Sequence, residues 1–470
     1  MPLGYNKKRT EQMEAVTPSE PAEQSALSIL PRRGWRITLR ALRHRNFRLF
    51  FGGQLISLIG TWMQSIALDW LVYRLTGSSL LLGVVAFMNH IPVLILAPIA
   101  GIVADRLNRQ RTVTVTQAIS MLLALLLAIL TLSGMVQVWE ILVLATLLGV
   151  VTAFDVPARQ AFLMDMVGRE DLFNAIALNS SMFNAARIIG PAIAGVLVAW
   201  IGEGWCFFAN GVSYLAVIAG LLMMRLTQQA SHLPAGSLTE HMVEGFRFAR
   251  RTAPVRSLLL MVGMVSLVAM PYTVLMPIFA DRILHGGARG LGLLMGATGV
   301  GALLGSLLLA SKRNVQGLGR WVWMAAVAFG MSLILFSVSR HFWLSFALLV
   351  PAGFGMMVQM GATNTLLQVM APDRLRGRVM ALYSMMFIGM APIGALLGGA
   401  VAAKIGAPWT VAIGGSACLV GGAVFARRLP SIRGEARELI RAQGILLGEP
   451  PVPFSLFSLL RRVTRRAGGQ

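Results

Sequence analysis

Three titratable side chains stand in otherwise apolar surroundings, Asp69, His90 and Arg187, and any chemistry of this chain has to begin with them. A charge within a long apolar helix is costly and serves by default to bind a proton, an ion or a substrate. Arg187 could meet an anionic substrate or a charge partner; the structural alternative is a pairing with a carbonyl or an acid. Asp69 follows Arg48 by about 21 residues, which at ~1.5 Å per residue puts it near the outer membrane boundary. It could bind a proton or substrate there, or act as a hydrogen-bonding group at the outer mouth. His90, beside Asn89, could titrate because imidazole changes charge near neutral pH; a satisfied core histidine is the alternative. Amides at Gln54, Gln64, Asn179, Asn184, Asn210, Gln359 and Asn364 could line a polar cavity. Enzyme machinery is absent: there is no Gly-x-x-x-x-Gly-Lys-Ser/Thr phosphate loop and no His-Glu-x-x-His pair. Cys206 and Cys418 lie inside apolar runs and supply neither a disulfide framework nor a metal site. No enzymatic activity, cofactor or metal is expected.

The elements that must position these groups are membrane helices. Of 470 residues, 56% are hydrophobic and only 13% charged, about half the charge of a soluble domain. The mean hydropathy is +0.70. Apolar stretches of about 20 residues, each long enough to cross a bilayer, fall at 48–73, 79–103, 112–134, 138–156, 173–201 and 205–225, then 256–280, 290–311, 320–338, 342–368, 377–403 and 408–426. The expected fold is therefore an all-α membrane protein with twelve transmembrane helices. The polar residues before the first span read as a disordered tail, and no signal peptide is expected.

The charge balance gives the topology. There are 41 Lys and Arg against 19 Asp and Glu, a net charge of +22. With the N-terminus inside, the outer loops hold only Arg74, Arg282, Arg289, Arg340 and Lys404, and Arg187 lies within a span, leaving 35 on one side. That asymmetry predicts cytoplasmic N- and C-termini through the positive-inside rule. The excess charge thus reflects topology and anionic-lipid contact, and no nucleic-acid partner is expected.

The chain also repeats itself at an offset of 204 residues, which aligns Gly190 with Gly394. In that register Ser180/Ser384, Phe183/Phe387, Gly195/Gly399 and Gly202/Gly406 coincide, so span five corresponds to span eleven. Two six-helix halves of the same topology follow, with a site near the midplane between them. The expected division is an N-terminal tail at 1–46, a first bundle at 47–226, a cytoplasmic linker at 227–255, a second bundle at 256–427 and a basic tail at 428–470. Within that tail, Phe454 to Arg466 could form an amphipathic helix on the inner leaflet or remain a disordered basic segment.

The loop after span two reads Gly101-Ile-Val-Ala-Asp105-Arg106-Leu-Asn108-Arg109-Gln-Arg111. It resembles the signature between helices two and three of the major facilitator superfamily, with Asn108 in place of the second glycine and basic residues at 109 and 111. The resemblance implies that Asp105 caps helix eleven, here at Arg376–Gly377–Arg378, and that the motif's arginine pairs with an acid at the inner end of helix four, here Asp155. In the segment Ala186-Arg187-Ile-Ile-Gly190-Pro191-Ala-Ile-Ala194-Gly195, span five is similar to the antiporter motif of helix five, with alanine at two glycine positions. The stretches 64–79 and 154–161 are similar to the enterobactin-exporter and macrolide-efflux branch, over most of about 45–430.

That likeness implies a secondary exporter of a small amphipathic compound, drug or siderophore-like, in the bacterial inner membrane, monomeric and driven by protons. An uptake permease, or a transporter-shaped receptor without transport, is the alternative. One departure bears on coupling: where proton-coupled drug exporters carry an arginine and a glutamine in helix four, this chain has Ala145 and Leu148. Because the basic tail should only touch lipid, truncation after residue 445 is predicted to leave transport intact. Loss of activity in a correctly inserted truncation, measured by efflux, would contradict this.

Overall fold

The computed structural model describes residues 39–224, 238–312, 315 and 317–443. Among the described residues, twelve helices are long and apolar enough to cross a membrane. The first six are α1 (Arg45–Thr76), α2 (Ser79–Arg106), α3 (Arg109–Leu132), α4 (Val138–Gly168), α5 (Glu170–Ile201) and α6 (Glu203–Leu222). The second six are α7 (Ala253–Ile283), α8 (Gly287–Ser311), α9 (Leu318–Val338), α10 (Phe342–Met370), α11 (Asp373–Ile405) and α12 (Ala407–Ala442). An amphipathic linker helix, Leu238–Arg251, precedes α7. No strand occurs among the described residues, and the expected all-α, twelve-helix fold is what the chain adopts.

Short connections send successive helices in opposite directions. Odd-numbered helices start at the end that carries Arg45, Arg109, Arg251 and Arg376, which we call the basic end; the other is the far end. Local chemistry sets the breaks. Gly77, with φ of 61°, ends α1, and the Ser78 hydroxyl accepts the Leu81 amide at 3.3 Å to start α2. Asn108, the departure from the family motif, is the N-cap of α3: its side chain accepts the Arg111 amide at 3.0 Å. Gly168, with φ of 71°, separates α4 from α5.

Three helices run past their apolar stretches. Hydropathy stops α4 near residue 156, yet Ala158, Phe162 and Met166 are buried with Phe47 and Phe50, so an amphipathic continuation persists to Gly168. α7 begins at Ala253, inside the expected linker, because Val255 and Leu258 are buried. α12 continues to Ala442 because Ile432, Leu439 and Ile440 join Phe248, Leu318 and Leu375 in one cluster. The Phe454–Arg466 segment lies outside the described residues.

The repeat seen in the sequence returns as packing. A Cβ added at Gly190 would lie 2.5 Å from the Trp62 Cβ of α1, and one at Gly394 would lie 2.5 Å from the Leu267 carbonyl of α7. A Cβ at Gly195 would lie 2.8 Å from the Gly292 Cα of α8, and one at Gly399 would lie 3.0 Å from the Gly83 Cα of α2. Thus α5 touches α1 and α8 as α11 touches α7 and α2. The α5–α8 and α2–α11 seams join the halves, and these glycine contacts lie toward the far end.

Gly292→Ala therefore cannot be accommodated without moving backbone, since its Cβ would lie 2.6 Å from both the Gly195 Cα and the Pro191 carbonyl. A loss of about 1–3 kcal/mol is expected. Gly296→Ala, one turn on, meets nothing within 4 Å and should be neutral or gain up to about 1 kcal/mol from helix propensity. Thermal melts of the two purified variants check the contrast; equal behaviour would contradict the seam.

Candidate functional site

The seam between α5 and α8 carries the first candidate. Arg187 sits one residue before Ile188, whose side chain lies against Gly299 of α8. Its guanidinium lies 5.9 Å from the centre of the Trp62 ring of α1. Phe183, one turn earlier on α5, meets the same indole edge-on at 5.6 Å. Among the described residues no carboxylate pairs with Arg187; beside the Trp62 face, the group its charge interacts with is Tyr272 of α7. That arrangement offers an anion a guanidinium and two aromatic surfaces at the join of the halves. Trp62 and Phe183 were not singled out by sequence, because an aromatic residue in an apolar span reads as core.

Asp69 and His90 sit on the other structural joints. Asp69, half-buried in α1, makes no hydrogen bond or ion pair among the described residues. One turn further on, the Tyr73 hydroxyl donates to Asp281 of α7 at 2.7 Å, and Arg282 stacks 5.6 Å over the Tyr73 ring. This clasp crosses between the halves at the far end. Arg74 pairs with Glu203 of α6 at 2.7 Å beside it. His90 is exposed and its Nδ1 lies 3.0 Å from the Ala86 carbonyl. Helical spacing puts it on the α2 face that Ser79, Gly83 and Leu94 turn toward α11.

Several amides are used inside one half. The Asn210 amide donates to Gln64 at 2.7 Å between α6 and α1. Asn184 bonds the carbonyl of Ser180, and Asn364 accepts from Gln368. Gln54 and Gln359 are buried.

At the basic end, the carboxylate that meets the loop after α2 is Asp165, which takes Arg109 at 2.8 Å. Asp155 lies ten residues deeper and does not receive this arginine. It accepts hydrogen bonds from Thr116 and Gln117 of α3 at 2.8 and 2.9 Å and has Arg159 at 3.4 Å. Arg109 thus meets a later acid than Asp155, because α4 runs on past its apolar stretch and brings Asp165 to the loop. Arg111 is exposed. Gly101, Asp105 and Arg106 lie within α2, but their contacts, including the expected cap of helix eleven, lie outside what is described. The start of α11 has other partners: Glu244 of the linker helix holds Arg374 at 2.9 Å and also bonds Arg378. Asp171, buried at the start of α5, collects Arg40, Arg43 and His44 at 2.7–2.8 Å.

The antiporter-like segment divides its work. Gly190 admits α1, whereas Pro191 and Gly195 face α8 of the other half. Ala186 and Ala194 are fully buried, so small residues at both former glycine positions still pack closely. Near the same level α7 and α11 each contain a π-helical turn, Val265–Ala269 and Met385–Gly389. The Ser266 hydroxyl donates to the Phe387 carbonyl at 2.5 Å, satisfying a group such a turn releases.

A family model described as transmembrane secretion effector matches residues 37–453. The staphyloferrin A transporter of Staphylococcus aureus is 28% identical over 357 residues, covering 74% of this chain and 88% of the relative. The multidrug efflux pump Tap of Mycolicibacterium fortuitum is also 28% identical, over 74% of this chain and 87% of the pump. The enterobactin exporter EntS of Escherichia coli O1:K1 is 23% identical over 78% and 88%. Among solved folds, a peptide transporter crystallised with sulfate superposes with a TM-score of 0.66 at 14% identity, covering 84% of this chain and 96% of that one.

The loop geometry makes a specific prediction. Arg109→Gln and Asp165→Asn should each destabilise the protein, and the double variant should lose less than their sum, with a coupling of about 0.2–1 kcal/mol. Arg109→Gln with Asp155→Asn should be additive. A thermal-melt cycle in detergent reads both; coupling of Arg109 to Asp155 instead would overturn the assignment.

Proposed function

The chain belongs to the transmembrane secretion effector family of the major facilitator superfamily, a family of multi-pass membrane transporters, and on that premise we propose that it exports a small amphipathic anion by alternating access, driven by the proton gradient. The observation that carries the substrate class is Arg187, unpaired with any described acid and lying against Trp62 and Phe183 where α5 meets α8. A guanidinium takes a carboxylate or other planar anion through paired N–H donors, and the aromatic faces take its apolar part. Relatives named as a multidrug efflux pump and an enterobactin exporter support the direction.

We take the basic end as cytoplasmic, in the bacterial inner membrane, with the protein working as a monomer. The halves are then clasped outside by the glycine seams and Tyr73–Asp281. The cytoplasmic start of α11, Asp373–Ser384, packs on α7, α10 and the linker helix, all outside the first half. Such a state is open inward and ready to load. The gating loop would meet α11 only when that side closes, with Gly101, Asp105, Arg106, Arg109 and Arg111 forming the latch. Asp69 is the proposed proton site. Its position one turn from Tyr73 lets its charge state act on the outer clasp, and a ~100 mV potential supplies about 2.3 kcal/mol per elementary charge moved. Proton entry through His90 is the alternative for the same step.

Efflux from a pump-deleted host tests the reading, with staphyloferrin A as the anionic probe and ethidium as the cationic one. Arg187→Gln should lower export of the anion at least about tenfold, since a charge-assisted contact is worth about 1.5–3 kcal/mol. Arg187→Lys should retain part of it, and an uncoupler or Asp69→Asn should stop accumulation against a gradient. Export of the anion unchanged in Arg187→Gln would overturn the substrate class. Export unchanged by the uncoupler would overturn the coupling, and net accumulation in expressing cells would reverse the direction.

A further inference from the structure

A second basic site lies away from the seam. At the basic end of the second half, the ends of α7, α9, α10 and α12 enclose a cavity of about 710 Å³. Its rim carries Arg320 from α9 and Arg433, Arg437 and Arg441 from the continuation of α12. The last three recur every four residues and so form one stripe spanning about 12 Å at ~1.5 Å per residue. Among the described residues none of the four side chains forms a hydrogen bond or an ion pair, and no acidic residue lines the cavity. Glu435 and Glu438 lie on the same helix but outside the lining. Below the arginines the walls are apolar: Trp323, Leu366, Met370 and Phe425.

We propose that this cavity binds an anionic phospholipid, its phosphate held by the arginine stripe and Arg320 and its acyl chains on the apolar wall. The inference is independent of the export site. Guanidinium groups match phosphate oxygens bidentately, and a basic pocket between helices at a membrane surface is suited to an acidic headgroup. A soluble phosphate would use only the rim and leave the apolar wall empty, which is why the lipid is the chosen source. Occupancy ties α12 to α9 and to the start of α7. It also explains why a helix that has finished crossing the membrane continues for a further stretch with arginines on the cavity side.

Native mass spectrometry of the purified full chain tests this with phosphatidylglycerol, phosphatidylcholine and glycerol 3-phosphate. Wild-type protein should retain phosphatidylglycerol in preference to the other two. The pair Arg433→Gln, Arg437→Gln should bind it about tenfold more weakly, equal to about 1.4 kcal/mol. The control pair Arg427→Gln, Arg428→Gln removes equal charge from the same helix outside the lining and should bind like wild type. Equal weakening in the two pairs would reduce the effect to net charge and overturn the proposal. Glycerol 3-phosphate binding as tightly as the lipid would overturn the lipid assignment, and undiminished binding by the cavity pair would place the lipid elsewhere. Thermal melts without lipid separate a misfolded variant from one that has lost the site, because only the latter keeps the wild-type melting temperature.

Discussion

The joint between the two halves rests on backbone approaching backbone at Gly195–Gly292 and Gly83–Gly399. Even one added methyl at these positions would lie within about 3 Å of a main-chain atom. In a membrane there is no hydrophobic force pressing helices together, so their attraction is dispersion over short distances, and small residues are what permit it. Such a contact has a useful weakness. It contains few hydrogen bonds to break, the Ser79 hydroxyl on the Gly399 carbonyl at 3.1 Å being one of them, so it can part and re-form at modest cost.

Polar interactions are distributed to match. Within the first half, Asn210–Gln64 ties α6 to α1, and Asp155 with Thr116 and Gln117 ties α4 to α3. These buried networks stiffen the bundle, because breaking one leaves further polar groups unpaired in a low-dielectric interior, where the Gln117 Oε1 already lacks a partner among the described residues. Across the halves, the described polar links gather at the far end, in Tyr73–Asp281, the Arg282 stack and Ser79–Gly399. On the proposed mechanism such an arrangement would let the halves move as two stiff bodies about separable seams, and Arg187 sits where they meet. The groups whose ionisation could shift the balance, Asp69 and His90, lie next to the seams rather than in the stiff interiors.

Much of this was legible in the sequence. Apolar run lengths gave the twelve helices, and the coincidence of Gly190 with Gly394 and Gly195 with Gly399 anticipated which glycines do equivalent work. The same register could not say what each glycine touches, since a one-dimensional pattern does not reveal whether Gly190 faces α1 or α8. Helix ends were misjudged where hydropathy stops but an amphipathic face continues, as in α4 and α12. Asp165, the acid that Arg109 meets, lies on such a continuation, beyond the stretch that hydropathy marks. The Asp171 cluster and the Glu244 contacts involve charged residues many positions apart, and nothing in a basic loop marks which acid it will meet. Trp62 and Phe183 were missed for a different reason: aromatic residues are ordinary in a membrane core, and only the guanidinium above them distinguishes these two.

The central claim is that the halves pivot as bodies, closed at the far end when they are parted at the basic end. Spin labels at the exposed positions Leu75 and His285 report the far end, and labels at Leu107 and Arg374 report the basic end. Electron–electron distance measurements on both pairs, at pH 5 and pH 8, with and without a transported anion, test it directly. The account predicts two populations at each end that change in opposite senses, a longer far-end distance always accompanying a shorter basic-end one. Distances that stay fixed at both ends, or that lengthen together, would contradict it.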